Sequence, residues 1–198
     1  MSEKTVPPQP CAEIVLLRHA PALTQGRVTG RRDVAIAAID EDQIRRLALE
    51  IAPIDHLISS PARRCLETAR RLIGHMEPKC EACLWEQDFG DWEGLCYTQL
   101  PDIGTLRADD LAHHCPPRGE SFADVCVRVR PVICGLANGV GRRIAVIAHA
   151  GSNRAALAVA LGISPGAALG FEIAPLSHTM IRAMADGSFA VAYVNRTA

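Results

Sequence analysis

Three short apolar runs in this chain end in side chains that could handle an anion. Arg18-His19 follows "EIVLL", the Ser59-Ser60 turn with Arg63 and Arg64 follows "IDHLI", and His149 follows "AVIA". A neutral imidazole is a competent nucleophile toward phosphorus, and a phosphohistidine divides one difficult hydrolysis into two easier transfers. Guanidinium groups bind phosphoryl oxygens bidentately and meet the charge that develops on them. That chemistry needs one further part, an acid for the departing alkoxide. Glu86, Asp88, Asp91 and Glu93 all lie in "WEQDFGDWEG", and spacing leaves the choice among them open.

The elements that must carry these groups can be read from periodicity. "EIVLL" (13–17), "IDHLISS" (54–60) and residues 144–148 are short, branched, apolar runs, the pattern of buried strands. Ile36, Ile39, Ile44, Leu47 and Ile51 recur at largely helical spacing and predict a helix over most of 37–51. "PARRCLETARRLIG" predicts another, with Ser60 as N-cap, Pro61 as first helical residue and Gly74 as stop. A third should follow the turn at Gly151 and end at Gly162. Ser121 and Asp124 have capping-box spacing at the head of a helix expected to break or bend at Pro131. Segments 170–174, 179–183 and 189–194 are expected as closing strands.

Strands alternating with helices imply an α/β protein, a three-layer α/β/α sandwich around a mostly parallel sheet. A helical and loop excursion over 84–140 is expected to cover the carboxyl ends of the strands. The organisation is then a single domain over 13–198 behind a flexible lead-in, residues 1–12. In such sheets ligands sit at the carboxyl ends, where helix N-termini also present free N–H groups. The three strand-end groups should therefore converge on one phosphate site. Arg63 and Arg64 stand about 100° apart on their helix, so both cannot face it equally; Arg63 is expected at the surface. Arg31 and Arg32, in a basic loop with Arg27, are candidates for binding the rest of an anionic substrate. Trp85 and Trp92 should pack the excursion onto the sheet.

Composition narrows the partners. The 198 residues carry 21 basic and 22 acidic side chains, a net charge of −1, so no global field favours nucleic acid or an anionic membrane. No apolar run approaches the roughly 20 residues that span a bilayer, and "MSEKTVPPQP" lacks the apolar core of a signal peptide; a cytoplasmic location is expected. The eight cysteines are expected to be reduced. Cys80 and Cys83 form one CxxC, with Cys115, His113 and His114 as conceivable partners, but no second CxxC completes a zinc set. No metal or cofactor is expected.

In order and interval, "LLRHA", "SSPARRCLETA", "LWEQDFGDWEGL", "PRGES" and "IAHAGSNRAAL" resemble the motifs of the histidine phosphatase superfamily, phosphoglycerate-mutase-like branch, over about 13–195. The resemblance implies that His19 is the phosphoacceptor, that Arg18 and Arg64 bind the phosphoryl group, and that His149 is the second pocket histidine. It also implies that Glu86 is the proton donor, with Glu93 structural or substrate-facing. The expected activity is that of a metal-independent phosphomonoesterase acting on a small phosphorylated metabolite. Length and the "DFGDWEG" segment look most like α-ribazole phosphatases. A phosphoglycerate mutase, or a silent phosphate-binding regulatory module, are the alternatives. Where the family pattern usually has glycine, an acidic residue and threonine after the histidine, this chain has Ala20, Pro21 and Ala22, which changes the loop lining the substrate.

Overall fold

The computed structural model describes residues 12–139 and 141–198. Most of the predicted lead-in, residues 1–11, lies outside the described residues. Six strands form one sheet: β1 (Ala12–Arg18), β2 (His56–Ser59), β3 (Lys79–Cys80), β4 (Arg142–Ala148), β5 (His178–Ala183) and β6 (Phe189–Arg196). Their spatial order is β3-β2-β4-β1-β5-β6, parallel from β3 to β1, with β5 antiparallel to both neighbours.

Side-chain alternation along the central strands builds the sandwich. Ile14 and Leu16 of β1, with Ile144 and Val146 of β4, face a core shared with α4 (Phe122–Leu136) and α5 (Ala150–Leu161). Val15 and Leu17, with Ala145 and Ile147, face the opposite core, shared with α1 (Glu41–Ile51) and α2 (Arg63–Leu72). Period-two patterning thus feeds two apolar layers from a sheet buried on both faces. The three-layer α/β/α sandwich is as expected.

Several boundaries differ, each for a local reason. Helix α1 starts at Glu41, not near 37, because the Asp40 carboxylate caps it by accepting from Asp42 N (2.9 Å). Residues before it are extended, with Ala37 N donating to Pro21 O (2.7 Å), yet Ile36 and Ile39 still pack on the core. Helix α2 starts at Arg63, so Ser60 and Pro61 stand outside it: the Ser60 hydroxyl contacts the His149 ring at 2.9 Å and accepts from Ala62 N at 3.4 Å, and Asp33 of another loop accepts from Arg63 N at 2.6 Å. The capping box at Ser121 and Asp124 forms as expected, but α4 runs on through Pro131. The carbonyl left without a donor is that of Val127, on the solvent-facing side. The 170–174 segment is no strand. Its carbonyls are occupied by arginines, Ile173 O by Arg18 (2.6 Å) and Phe171 O by Arg154 (2.8 Å).

The covering excursion is also shorter than 84–140, because Val125, Val129 and Ile133 of α4 are buried in the sandwich itself. The cover proper comprises three 3₁₀ turns, Ala82–Leu84, Gly90–Trp92 and Tyr97–Gln99, then α3 (Ala108–His113) and the turn to Ser121. A last short helix, α6 (Pro165–Ala168), follows α5. No helix among the described residues is long and apolar enough to cross a membrane.

Candidate active site

Strand register alone brings the first groups together. Arg18 pairs with Ala148 across β1 and β4, so the next residues, His19 and His149, emerge side by side at the carboxyl edge. Ser59 pairs with Ile147 on the other flank of β4, which sets Ser60 beside His149. Backbone bonds from His19 N to Ala148 O (3.0 Å) and from Ser60 N to Ile147 O (2.9 Å) extend both ladders one residue further. The site is therefore mounted on the most buried strands of the fold.

A cleft of about 330 Å³ opens there, lined at one end by Arg18, His19, Arg64 and Glu86. The His19 ring is buried and its Nδ1 lies 2.7 Å from Ala20 O. A carbonyl only accepts, so Nδ1 carries the proton, and in the neutral ring Nε2 keeps its lone pair. Burial holds the ring neutral: it pushes the His19 pKa down to about 3, with Arg64 and Arg18 adding to the effect and the Ala20 bond opposing it. His149 is fully buried and held well below its ordinary pKa, first by burial, then by His19 and Arg64.

The arginines are fixed by backbone carbonyls. Arg64, 1% exposed, donates to Gly30 O (2.7 Å) and Arg32 O (3.0 Å), which ties α2 to the 30–32 loop. Arg18 donates to Ile173 O, and its buried Nε–H has no partner among the described residues. An unpaired buried donor beside a cleft is open to a ligand oxygen. Two cations, one carboxylate and neutral imidazoles leave this end net positive.

Among the four carboxylates of "WEQDFGDWEG", only Glu86 lines the cleft. Asp88 accepts from Gly90 N (2.8 Å), Asp91 pairs with Arg118 at the surface, and Glu93 accepts from Arg31 N (2.7 Å) and Phe89 N (3.2 Å). The Glu86 carboxylate lies over the start of α5, where Gly151 N approaches it at 3.4 Å, and a Cβ at Gly151 would collide with it. Its backbone is fixed too. Arg128 donates to Glu86 O (3.1 Å) and Cys83 O (2.6 Å) while pairing with Glu120 (2.7 Å), whose carboxylate also accepts from Asp88 N.

The remaining candidates are placed differently. His149, fully buried, does not line the cleft; its ring is edge-on to that of His19, with centroids 5.1 Å apart, and parallel to the Trp85 ring at 6.3 Å. Arg63 is at the surface, paired with Glu67 (2.6 Å). Neither Arg31 nor Arg32 lines the cleft: Arg31 reaches Glu120 (3.4 Å) and Trp85, and Arg32 lies against Gly94. The sequence reasoning placed Ser60 at this strand end but as a helix cap, missing its contact with the His149 ring, and it missed the Arg128–Glu120 clamp. Glu120 sits inside the quoted "PRGES", a signal that could have found it; Arg128 had none. Cys80 and Cys83 are free thiols, and among the described residues no group of three or more His, Cys, Asp or Glu side chains is arranged to hold a metal ion.

Comparison with known proteins bears on the family and the fold. The family model of the histidine phosphatase superfamily (branch 1) matches residues 14–197. Bifunctional protein Rv2228c of Mycobacterium tuberculosis is 29% identical over 200 residues, covering 93% of this chain and 54% of that protein, so the chain spans about half the length of the curated relatives it matches. Among solved structures, mycobacterial glucosyl-3-phosphoglycerate phosphatase Rv2419c with VO3 superposes with a TM-score of 0.82 at 23% identity, covering 93% of this chain and 99% of that one. An Escherichia coli protein proposed to be an alpha-ribazole-5'-P phosphatase gives a TM-score of 0.81 at 21% identity, covering 94% and 97%. These structural likenesses establish the fold.

Proposed function

The chain belongs to the histidine phosphatase superfamily, branch 1, and from that premise we propose that it is a phosphomonoesterase that hydrolyses a small phosphorylated metabolite through a phosphohistidine. The observation that carries this reading is the His19 ring. Its Nδ1–H is committed to Ala20 O, its pKa is far below neutral, and it shares one end of the cleft with Arg18, Arg64 and Glu86.

In the first transfer, His19 Nε2 forms a bond to phosphorus as the ester P–O bond breaks, and the Glu86 carboxyl gives its proton to the departing oxygen. In the second, a water oxygen attacks phosphorus, its proton passes to the Glu86 carboxylate, and the P–N bond breaks to release phosphate. Arg18 and Arg64 meet the charge on the equatorial oxygens in both steps. That supply of fixed positive charge assigns no step to a metal. His149, edge-on to the His19 ring with centroids 5.1 Å apart, packs against the nucleophile.

The test is to trap the intermediate. A brief acid-free quench with a phosphate monoester should add one phosphoryl group at His19, seen by peptide mass spectrometry, and His19→Ala should show neither the adduct nor phosphate release. Turnover that persists in His19→Ala would overturn the reading. Screening for the substrate would include α-ribazole phosphate and 3-phosphoglycerate.

A further inference from the structure

Phosphoryl chemistry uses only one end of the cleft. The rest of the lining includes Val28, Phe89, Trp92, Tyr97 and Leu100 with Thr24 and Thr29, and Tyr97 is close enough to Arg18 to interact with it electrostatically. The lining holds no charged side chain except Arg18, Arg64 and Glu86 at the phosphate end, His19 being neutral. Cations close in sequence are engaged elsewhere: Arg27 donates to Gly94 O (2.8 Å), Arg31 to Glu120, and Arg32 lies on Gly94. The two residues after the loop's Ala20 that reach the lining, Pro21 and Ala22, are apolar as well.

Against these walls a second anionic group would exchange water for no cationic side chain, its side-chain donors there being the Thr24, Thr29 and Tyr97 hydroxyls and the Trp92 indole N–H, which is costly. An apolar or aromatic group would instead be removed from water and could lie on the rings of Phe89, Trp92 and Tyr97. The volume, about 330 Å³, is near the small end of the ~300–1,000 Å³ usual for ligand sites. We infer that this cleft selects phosphate monoesters whose alcohol is uncharged and apolar or aromatic, and discriminates against esters that carry a carboxylate or a second phosphate. The inference deepens the phosphatase reading and rests on it for the position of the phosphoryl group.

Two phosphonates with the same linker and different ends separate recognition from turnover. Calorimetric titration of the native chain should find 2-phenylethylphosphonate binding at least about tenfold more tightly than 3-phosphonopropionate, and Tyr97→Ala or Leu100→Ala should shrink that ratio. Equal binding, or tighter binding of the carboxylate, overturns the inference. In parallel, phosphate release is measured from 2-phenylethyl phosphate and phosphoserine, whose leaving groups are both alkoxides. A binding preference for the phenyl compound without turnover of either ester upholds the selectivity and defeats the phosphatase reading. His19-dependent turnover that favours phosphoserine does the reverse.

Discussion

The two ends of the cleft are built from different materials. At the phosphate end, the nucleophile and both arginines are held by a strand terminus or a helix start and locked by backbone, His19 on Ala20 O, Arg18 on Ile173 O, Arg64 on Gly30 O and Arg32 O, and Glu86 alone comes from the cover. At the far end, the walls come from the 21–30 loop and the 89–100 segment, joined to each other by Val28 N to Leu95 O and Gly94 N to Val28 O. Loops tolerate changes of sequence that strand ends do not. On the proposed reading, reaction class is written at one end and selectivity at the other.

The largest effect should come from the rigid end. His19→Ala is expected to lower kcat by ~10⁴-fold or more, the scale seen when a nucleophile is removed from a preorganised site, whichever ester is used. A loss that varied strongly among esters would blur the distinction between the ends. Glu86→Gln comes next. For an alkyl phosphate, kcat/KM should fall by ~10²–10⁴-fold, whereas for p-nitrophenyl phosphate, whose leaving group needs no proton, the fall should be much smaller. Equal losses on both would remove Glu86 from the role of acid.

How far the sequence revealed each end follows from the same difference. Arg18, His19, Arg64 and His149 were visible because each follows a recognisable strand or starts a helix, and strand register then forces them together. Glu86 was not separable by spacing from Asp88, Asp91 and Glu93; only the family resemblance chose it, and the turn geometry shows why, since those three carboxylates are taken up by backbone N–H groups of the cover and of Arg31, or by Arg118. Charge in a loop says nothing about direction, and Arg31 and Arg32, candidates for binding the rest of the substrate, fall outside the cleft lining. The Ser60 contact escaped because a serine before proline reads as a cap, while here a histidine from a neighbouring strand holds its hydroxyl. The 170–174 segment reads as a strand by composition, but arginines from elsewhere in the chain occupy its carbonyls.

The joint between the ends offers an intermediate test. Gly151 lies under the Glu86 carboxylate at the start of α5, so Gly151→Ala must push that carboxylate aside while leaving the helix, which prefers alanine, intact. A displacement near 1 Å costs roughly 10- to 100-fold in rate. The expected signature is a kcat/KM loss for alkyl phosphates with unchanged thermal stability. Equal losses for alkyl and p-nitrophenyl phosphates would mean that the substitution disturbs His19 or the arginines instead.

The smallest effect concerns stability and distinguishes the ends by their titration. His19 has its folded pKa depressed from about 6.5 to about 3, so between those values the unfolded chain binds a proton that the folded chain does not. Its contribution to stability is fully present above pH 6.5 and is lost as pH falls toward 3. His149 and His178 shift in the same direction, both first through burial. Between pH 6.5 and 5 the carboxylates Glu67, Glu120 and Asp124, whose pKa values are lowered, remain ionised in the folded chain and add little slope. Denaturant unfolding across that window should therefore show stability falling with acid, by up to ~1.4 kcal/mol per pH unit for each such histidine. His19→Gln should remove one histidine's share of the slope. Tyr97→Ala, in a wall that contains no histidine, should leave the slope as it was; if it changes the slope as much as His19→Gln does, the two ends are coupled through a shared network and the division between them fails.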